Sequence, residues 1–141
     1  YKKTPPTPRA VLKTPMKKLR SVGLSEAKAR AIQDLALKAS QGLVPDGKKI
    51  RKMSDEEIIE TLVAIRGIGP WTAQMLLIFS LSREDVWPIH DYGVRKGYAK
   101  LFAMKEMPTP KALQELGEKW RPHRSAMAWY CWRALDQKDN K

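Results

Sequence analysis

The chain has a single cysteine, Cys131, so no disulfide can close within it. The same count excludes an iron–sulfur centre or a structural zinc built from several of its own thiolates. It also points to a reducing, intracellular setting. No apolar run reaches 18 residues, which leaves no candidate for a membrane-spanning helix. The opening Tyr1-Lys2-Lys3-Thr4-Pro5-Pro6 lacks the apolar centre of a signal peptide, and the missing initial Met points to a cleaved, trimmed or truncated product. No segment sustains the alternation of a β-strand, and no period of solenoid length recurs. Acids are scarce: 15 Asp+Glu stand against 27 Lys+Arg, for a formal net charge of +12.

What remains is 141 residues, 43% of them hydrophobic, enough for the core of one domain. The basic excess selects polyanionic partners: nucleic acid, an anionic membrane surface or acidic protein. Residues 1–20 hold seven cations and no acid, and Lys48-Lys49-Ile50-Arg51-Lys52 places four more in five positions. Each run alone reads as solvated surface. Neither lies opposite the large apolar residues that a membrane-surface helix needs.

Residues 1–15, rich in Pro, Thr and Lys, read as an extended basic arm, residues 16–137 as one helical domain, and 138–141 as a tail. Ser25 is placed to cap a helix running from Lys28 through Ala39, with Leu24, Ala31, Ile32 and Leu35 at helical spacing. Gly42 to Gly47 breaks the pattern. Ser54-Asp55-Glu56-Glu57 matches a capping box before a helix bearing Ile58, Ile59, Leu62 and Ile65. Pro70 suits the first turn of the next helix, whose run of apolar residues predicts burial on most sides. Pro88 holds Trp87 extended, and Asp91 opens a helix with Val94, Tyr98, Leu101 and Phe102 at spacings of three and four. Two helices close the chain, Lys111–Trp120 and Ser125–Leu135. The fold class is all-α.

Three features can carry chemistry. Gly67-Ile68-Gly69 joins two helices, where glycine permits positive φ and close approach of a partner. The free amides at the start of the second helix make an anion site that suits a nucleic-acid phosphate, through Gly67, Gly69, Trp71 and Thr72. The plain alternative is an αα-hairpin that needed two glycines to turn. Asp91 caps its helix, its ordinary role, yet a capping carboxylate is also held ionised and aimed. Such an anion can stabilise the oxocarbenium-like sugar formed when an N-glycosidic bond breaks, and can orient water. His90 beside Pro88 reads as surface or packing. Of five tryptophans, Trp87 and Trp120 read as core, while Trp71 and Trp132 can wall a slot for an extruded base. Trp129 and Tyr130 share the helix of Trp132.

The run Leu62-x-x-Ile65-x-Gly67-Ile68-Gly69-Pro70-Trp71-Thr72-Ala73, with Pro88 and Asp91 beyond it, resembles the helix-hairpin-helix, Gly/Pro, Asp superfamily of DNA glycosylases. Within that superfamily the likeness is to the 3-methyladenine DNA glycosylase II branch, over roughly residues 11 to 135. Pro15-x-x-x-Leu19-Arg20-x-x-Gly23-Leu24-Ser25-x-x-Lys28-Ala29 and Trp120-Arg121-Pro122-x-Arg124-Ser125 match as well. The resemblance implies that Asp91 is the catalytic carboxylate and that Trp71, Met75 and Trp132 line the base pocket. Trp71 stands where lyase-competent branches carry a Schiff-base lysine, implying a monofunctional enzyme that excises alkylated purines such as 3-methyladenine or 7-methylguanine from duplex DNA. Base flipping would precede hydrolysis, in base excision repair.

The resemblance also implies Na⁺ or K⁺ on the backbone carbonyls of Val63, Ile65 and Ile68, with no other cofactor and no iron–sulfur cluster. Met75 replaces a pocket Tyr of several relatives, and His90 replaces a second acid. The expected partner is double-stranded DNA with a damaged base, in the nucleoid of a bacterium or the nucleus of a eukaryote. Relatives carry further helices N-terminal to this segment, so a preceding segment or a second chain is expected to complete the cleft. The alternative function is a non-catalytic hairpin module that binds DNA, or an inactive fragment of such a glycosylase.

Overall fold

Helix caps written into the sequence set most of the element boundaries. The computed structural model describes residues 5–136, and these form helices joined by turns, with no β-strand among them. Residues 1–4 of the basic arm, residue 137 and the tail 138–141 lie outside the described residues. The chain divides into two compact units, Tyr1–Ala73 and Gln74–Lys141, where the sequence reads as one helical domain.

In the first unit, α1 spans Pro8–Leu12, so the supposed extended arm is partly helical. The same Thr and Pro that looked like loop formers explain this. The Thr7 hydroxyl accepts from the Ala10 amide at 3.2 Å, and Pro8 takes the first turn, where no amide is needed. Helix α2 (Met16–Ser21) follows, and both pack on α3 (Glu26–Ser40) through Val11, Leu19 and the small residues Ala29 and Ala36. Ser25 caps α3 as its spacing foretold. A short α4 (Gly47–Ile50) lies where the basic run gave no helical signal. Its cap is Asp46, whose carboxylate accepts from the amides of Lys49 and Lys48 and is held below its usual pKa by them. The capping box of α5 (Asp55–Val63) forms in both directions: Ser54 Oγ accepts from Glu57 N at 3.1 Å, and the Glu57 carboxylate from Ser54 N at 2.7 Å.

Helix α6 (Pro70–Phe79) crosses the division between the units. It is not buried on most sides. Ala73 and Leu77, four apart, are fully buried, whereas Trp71 is 51% and Phe79 61% exposed. Trp71, Met75 and Phe79 follow one another at spacings of four and so share a different face of the helix. An apolar composition all round a helix therefore conceals two faces with different roles.

The second unit contains α7 (Tyr92–Leu101), α8 (Pro110–Gly117) with a 3₁₀ turn at Glu118–Trp120, and α9 (Arg124–Asp136). Its core is Trp87, Val94, Tyr98, Leu113, Met127, Ala128 and Cys131, with Trp120 packed against it, in line with the core reading of Trp87 and Trp120. The Trp87 indole donates to the Leu113 carbonyl at 2.8 Å. Burial pushes the Cys131 thiol up to about 12, so it behaves as a small apolar residue.

Helices α7 and α9 approach so closely that a Cβ on Gly97 would lie 1.9 Å from the Cys131 carbonyl oxygen. Backbone cannot yield there as a side chain would. Gly97→Ala is expected to lower the stability of this unit by about 2–3 kcal/mol despite alanine's better helix propensity. Urea unfolding followed by tryptophan fluorescence checks this; unchanged stability would mean the helices are free to part.

Candidate active site and nucleic-acid hairpin

The first unit presents the glycine turn. After α5, the chain reverses over residues 64–69 into α6, with Gly67 at φ 78°. Only glycine fits there for a second reason: a Cβ would meet the Ala31 Cβ at 2.7 Å, so the turn rests directly on α3. Gly69 differs. It is not among the positive-φ glycines, and a Cβ there would meet nothing within 4 Å. No neighbour among the described residues requires glycine there, and the position faces open space that another molecule can enter.

Helix α3 also locks the turn. The Lys38 ammonium donates to the Ala64 carbonyl and to Asp34 Oδ2, both at 2.7 Å, while the Arg66 amide donates to Asp34 Oδ2 at 2.8 Å. Lys38 and the Arg66 amide together hold the Asp34 carboxyl below its ordinary range. This clamp has no counterpart in the sequence reading. Its only sequence signal is the i,i+4 spacing of Asp34 and Lys38.

Val63 ends α5, Ile65 and Ile68 lie within this turn, and the Ile65 carbonyl accepts from the Ile68 amide at 3.1 Å. Backbone carbonyls at these three positions would offer an ion oxygen ligands without a carboxylate. Among the described residues no group of three or more His, Cys, Asp or Glu could hold a metal.

The second unit presents Asp91. Segment 83–86 is stapled to the start of α9: the Ser125 amide donates to Glu84 O at 2.9 Å, Ser125 Oγ to Arg83 O at 2.7 Å, and the Val86 amide to Ser125 Oγ at 2.9 Å. Arg124, only 8% exposed, grips Asp85 through Nε–Oδ1 at 2.6 Å and Nη2–Oδ2 at 3.0 Å, and Arg121 adds a contact at 2.7 Å. Buried Val86, Trp87 and Pro88 then carry the chain to Asp91, whose amide donates to Pro88 O at 2.9 Å. His90 is exposed, the surface alternative of its two readings.

Asp91 Oδ1 receives two hydrogen bonds, from the Val94 amide at 2.7 Å and from Trp132 Nε1 at 2.9 Å. The first is the helix cap expected from the sequence. The second was not foreseen: Trp132 is a partner of the carboxylate. The indole fits because residue 93 is glycine; a Cβ there would stand 2.8 Å from Trp132 Cδ1 and 3.1 Å from Asp91 Oδ1. The Phe79 ring lies beside Trp132 with centroids 5.7 Å apart and planes inclined 32°. Phe79 was likewise missed, although its place four residues after Met75 on α6 could have indicated it.

The structure thus brings Asp91 and Trp132 together, with Gly93 and Phe79 against the same indole. Met75 is half-buried on α6 in the same unit. Gly67, Gly69, Trp71 and Thr72 lie together on the turn and first turn of α6, in the other unit.

The first unit carries a glycine hairpin and the start of a proline-initiated helix, the second a capping aspartate, the features of a helix-hairpin-helix protein, and comparisons with known proteins identify the family. Residues 1–123 match the model of the HhH-GPD superfamily base excision DNA repair proteins. DNA-3-methyladenine glycosylase 1 of Schizosaccharomyces pombe is 38% identical over 128 residues, covering 91% of this chain and 56% of the relative. DNA-3-methyladenine glycosylase 2 of Escherichia coli is 27% identical, covering 90% of this chain and 42% of the relative. The structure of the Schizosaccharomyces pombe 3-methyladenine DNA glycosylase in complex with abasic DNA superposes with a TM-score of 0.90 at 37% identity, over 96% of this chain and 66% of that one. The chain belongs to the HhH-GPD superfamily of DNA glycosylases, on the side of the 3-methyladenine DNA glycosylases. It spans about half the length of the curated relatives it matches.

The Asp85 staple predicts an acid sensitivity. Burial alone would raise the Asp85 pKa, but the hydrogen bond and charge of Arg124 outweigh it and hold the carboxyl below its ordinary 3.8. Its contribution is therefore complete above about pH 4 and lost as the pH falls through the lowered value. Asp85→Asn leaves buried Arg124 with only the longer contact to Glu118 Oε1 at 3.5 Å as an ion pair and is expected to cost about 2–3 kcal/mol at neutral pH. Thermal unfolding at pH 7 and pH 3 checks this: the gap between wild type and variant should narrow at the lower pH, and a constant gap would remove Asp85 from the account.

Proposed function

We propose that this chain carries the catalytic half of a monofunctional DNA glycosylase that releases alkylated purines, of the 3-methyladenine and 7-methylguanine type, from duplex DNA. The observation that supports it is the double anchoring of Asp91 by the Val94 amide and the Trp132 indole beside a second, exposed aromatic ring. A purely structural helix cap has no need of a tryptophan donor seated on glycine.

Alkylation gives the purine a positive charge, so its glycosidic bond is already weakened. When the C1′–N bond breaks, the electron pair leaves with the base, which departs neutral, and the sugar becomes oxocarbenium-like. The Asp91 carboxylate faces that cation, stabilises it, and takes the proton of the water that adds to C1′. Trp132 and Phe79 offer π-faces to an electron-poor flipped base, and a damaged pair is easier to open than a sound one. Met75 completes the apolar lining on α6. Trp71 supplies no amine, so no Schiff base forms and the strand stays intact.

The hairpin holds the DNA. Amides at Gly67, Gly69, Trp71 and Thr72 face a phosphate at the start of α6, with Gly69 leaving room for it. Na⁺ or K⁺ on the carbonyls of Val63, Ile65 and Ile68 would add a positive charge at that phosphate. These contacts place the duplex and read no sequence.

Asp91→Asn keeps the cap and tests the chemistry. On methylated duplex DNA, with abasic sites revealed by alkali, the variant is expected to release base at least about a hundredfold more slowly in single turnover. Its affinity for the DNA should stay within a few-fold of wild type or rise. Equal loss of binding and release would remove Asp91 from the chemistry. A wild-type chain that binds methylated DNA and releases nothing would instead make this a binding module.

A further inference from the structure

We infer that α1 and α2 form a second phosphate-contact surface for duplex DNA, separate from the Gly67 hairpin and centred on Lys17, Lys18 and Arg20. This rests on the reading that DNA is the partner. The surface carries Arg9, Lys13, Lys17, Lys18 and Arg20, all exposed, and residues 5–25 contain no acid. Among the described residues none of these five makes an ion pair. The nearest acid downstream, Glu26, is hydrogen-bonded to Arg30 at 2.7 Å, and Arg20 adds only a weaker charge interaction with it. Elsewhere on this unit the carboxylates are interleaved with the cations: Asp46 caps the α4 run, and Asp55, Glu56 and Glu57 follow it directly. The α1–α2 face carries five exposed cations and no acid of its own.

Its shape also suits a polyanion. Lys17 and Arg20, three apart on α2, line an open concavity of about 760 Å³ with Gly23, Leu24 and Ser25. Lys17 and Lys18 line a second one beside it, of about 340 Å³. A strand of backbone phosphates can lie along both and keep its charges near these three side chains.

The surrounding chain repeats the hairpin's design. Gly23, Leu24, Ser25 and Ala29 stand at the mutual spacing of Gly67, Ile68, Gly69 and Ala73. Gly23 has φ 91° where Gly67 has 78°, and Ala29 and Ala73 are both fully buried. The Gly23 turn runs directly into α3, and the Gly67 turn rests on the same helix at Ala31. Five residues of helical rise separate Glu26 from Ala31, about 7.5 Å along the axis, a distance over which a duplex presents several phosphates.

The test measures the salt dependence of binding to undamaged duplex DNA. Lys17→Ser/Lys18→Ser/Arg20→Ser is compared with wild type and with Lys48→Ser/Lys49→Ser/Lys52→Ser, which removes equal charge from the α4 run. Each lost phosphate contact should reduce the slope of log K against log salt by about 0.9, so the α2 variant should fall by about 2 to 3 and the α4 variant by less than 1. Lys17→Arg/Lys18→Arg should keep the wild-type slope, and circular dichroism confirms that each variant is folded. An unchanged slope in the α2 variant, or equal losses in both triple variants, overturns the inference. So does loss of binding to phosphatidylserine vesicles with the DNA slope intact. If wild type binds DNA with the expected slope yet releases no damaged base, the catalytic proposal fails while this surface stands.

Discussion

The geometry around Asp91 in the second unit depends on one close contact, the seating of α9 on the glycine face of α7. Gly97 lets the Cys131 backbone come within reach of α7, and Gly93, four residues earlier, leaves the space that the Trp132 indole fills. From that position the indole N–H meets Asp91. With any larger residue at 93 or 97 the helices would stand further apart, and the indole could not reach the carboxylate. A helix-capping aspartate, common in itself, becomes an oriented anion because a packing interface delivers a second donor to the same oxygen.

The first unit applies the same logic to the hairpin. Gly67 rests on Ala31, and the Asp34–Lys38 pair holds the carbonyl and amide on either side of Ile65. Helix α3 thus acts as a template that fixes the turn before any ligand arrives. A prepaid conformation is what backbone recognition of a phosphate needs, since the amides must be aligned already to compensate the anion's lost water.

Local signals made much of this legible. The caps at Ser25, Ser54 and Asp91 set helix starts directly, because a side chain bonding to an amide three residues on leaves a fixed spacing in the sequence. The all-helical class followed from the absence of strand alternation, and the hairpin motif with Asp91 beyond it led to the superfamily. Of what stayed hidden, three features show why. The helix at Pro8–Leu12 was obscured because Thr and Pro serve caps and loops alike. The exposure of Phe79 was obscured because an apolar run does not say which of its faces is covered. The Trp132–Asp91 bond joins residues 41 positions apart, and no local spacing encodes a tertiary hydrogen bond. A reader who had paired Gly93 and Gly97 as a flat helix face would have found where α9 docks.

The central claim is that the Trp132 N–H, rather than the ring alone, holds Asp91 ready for the sugar cation. Single-turnover base release by Trp132→Phe on methylated duplex DNA, at saturating protein, tests it most directly, because phenylalanine keeps an aromatic face and removes the donor. The account predicts a rate lower by about tenfold to a hundredfold, as expected when a reacting group loses its alignment, with DNA affinity retained. A rate equal to that of the wild type would show that the capping amide alone positions the carboxylate and would contradict the account.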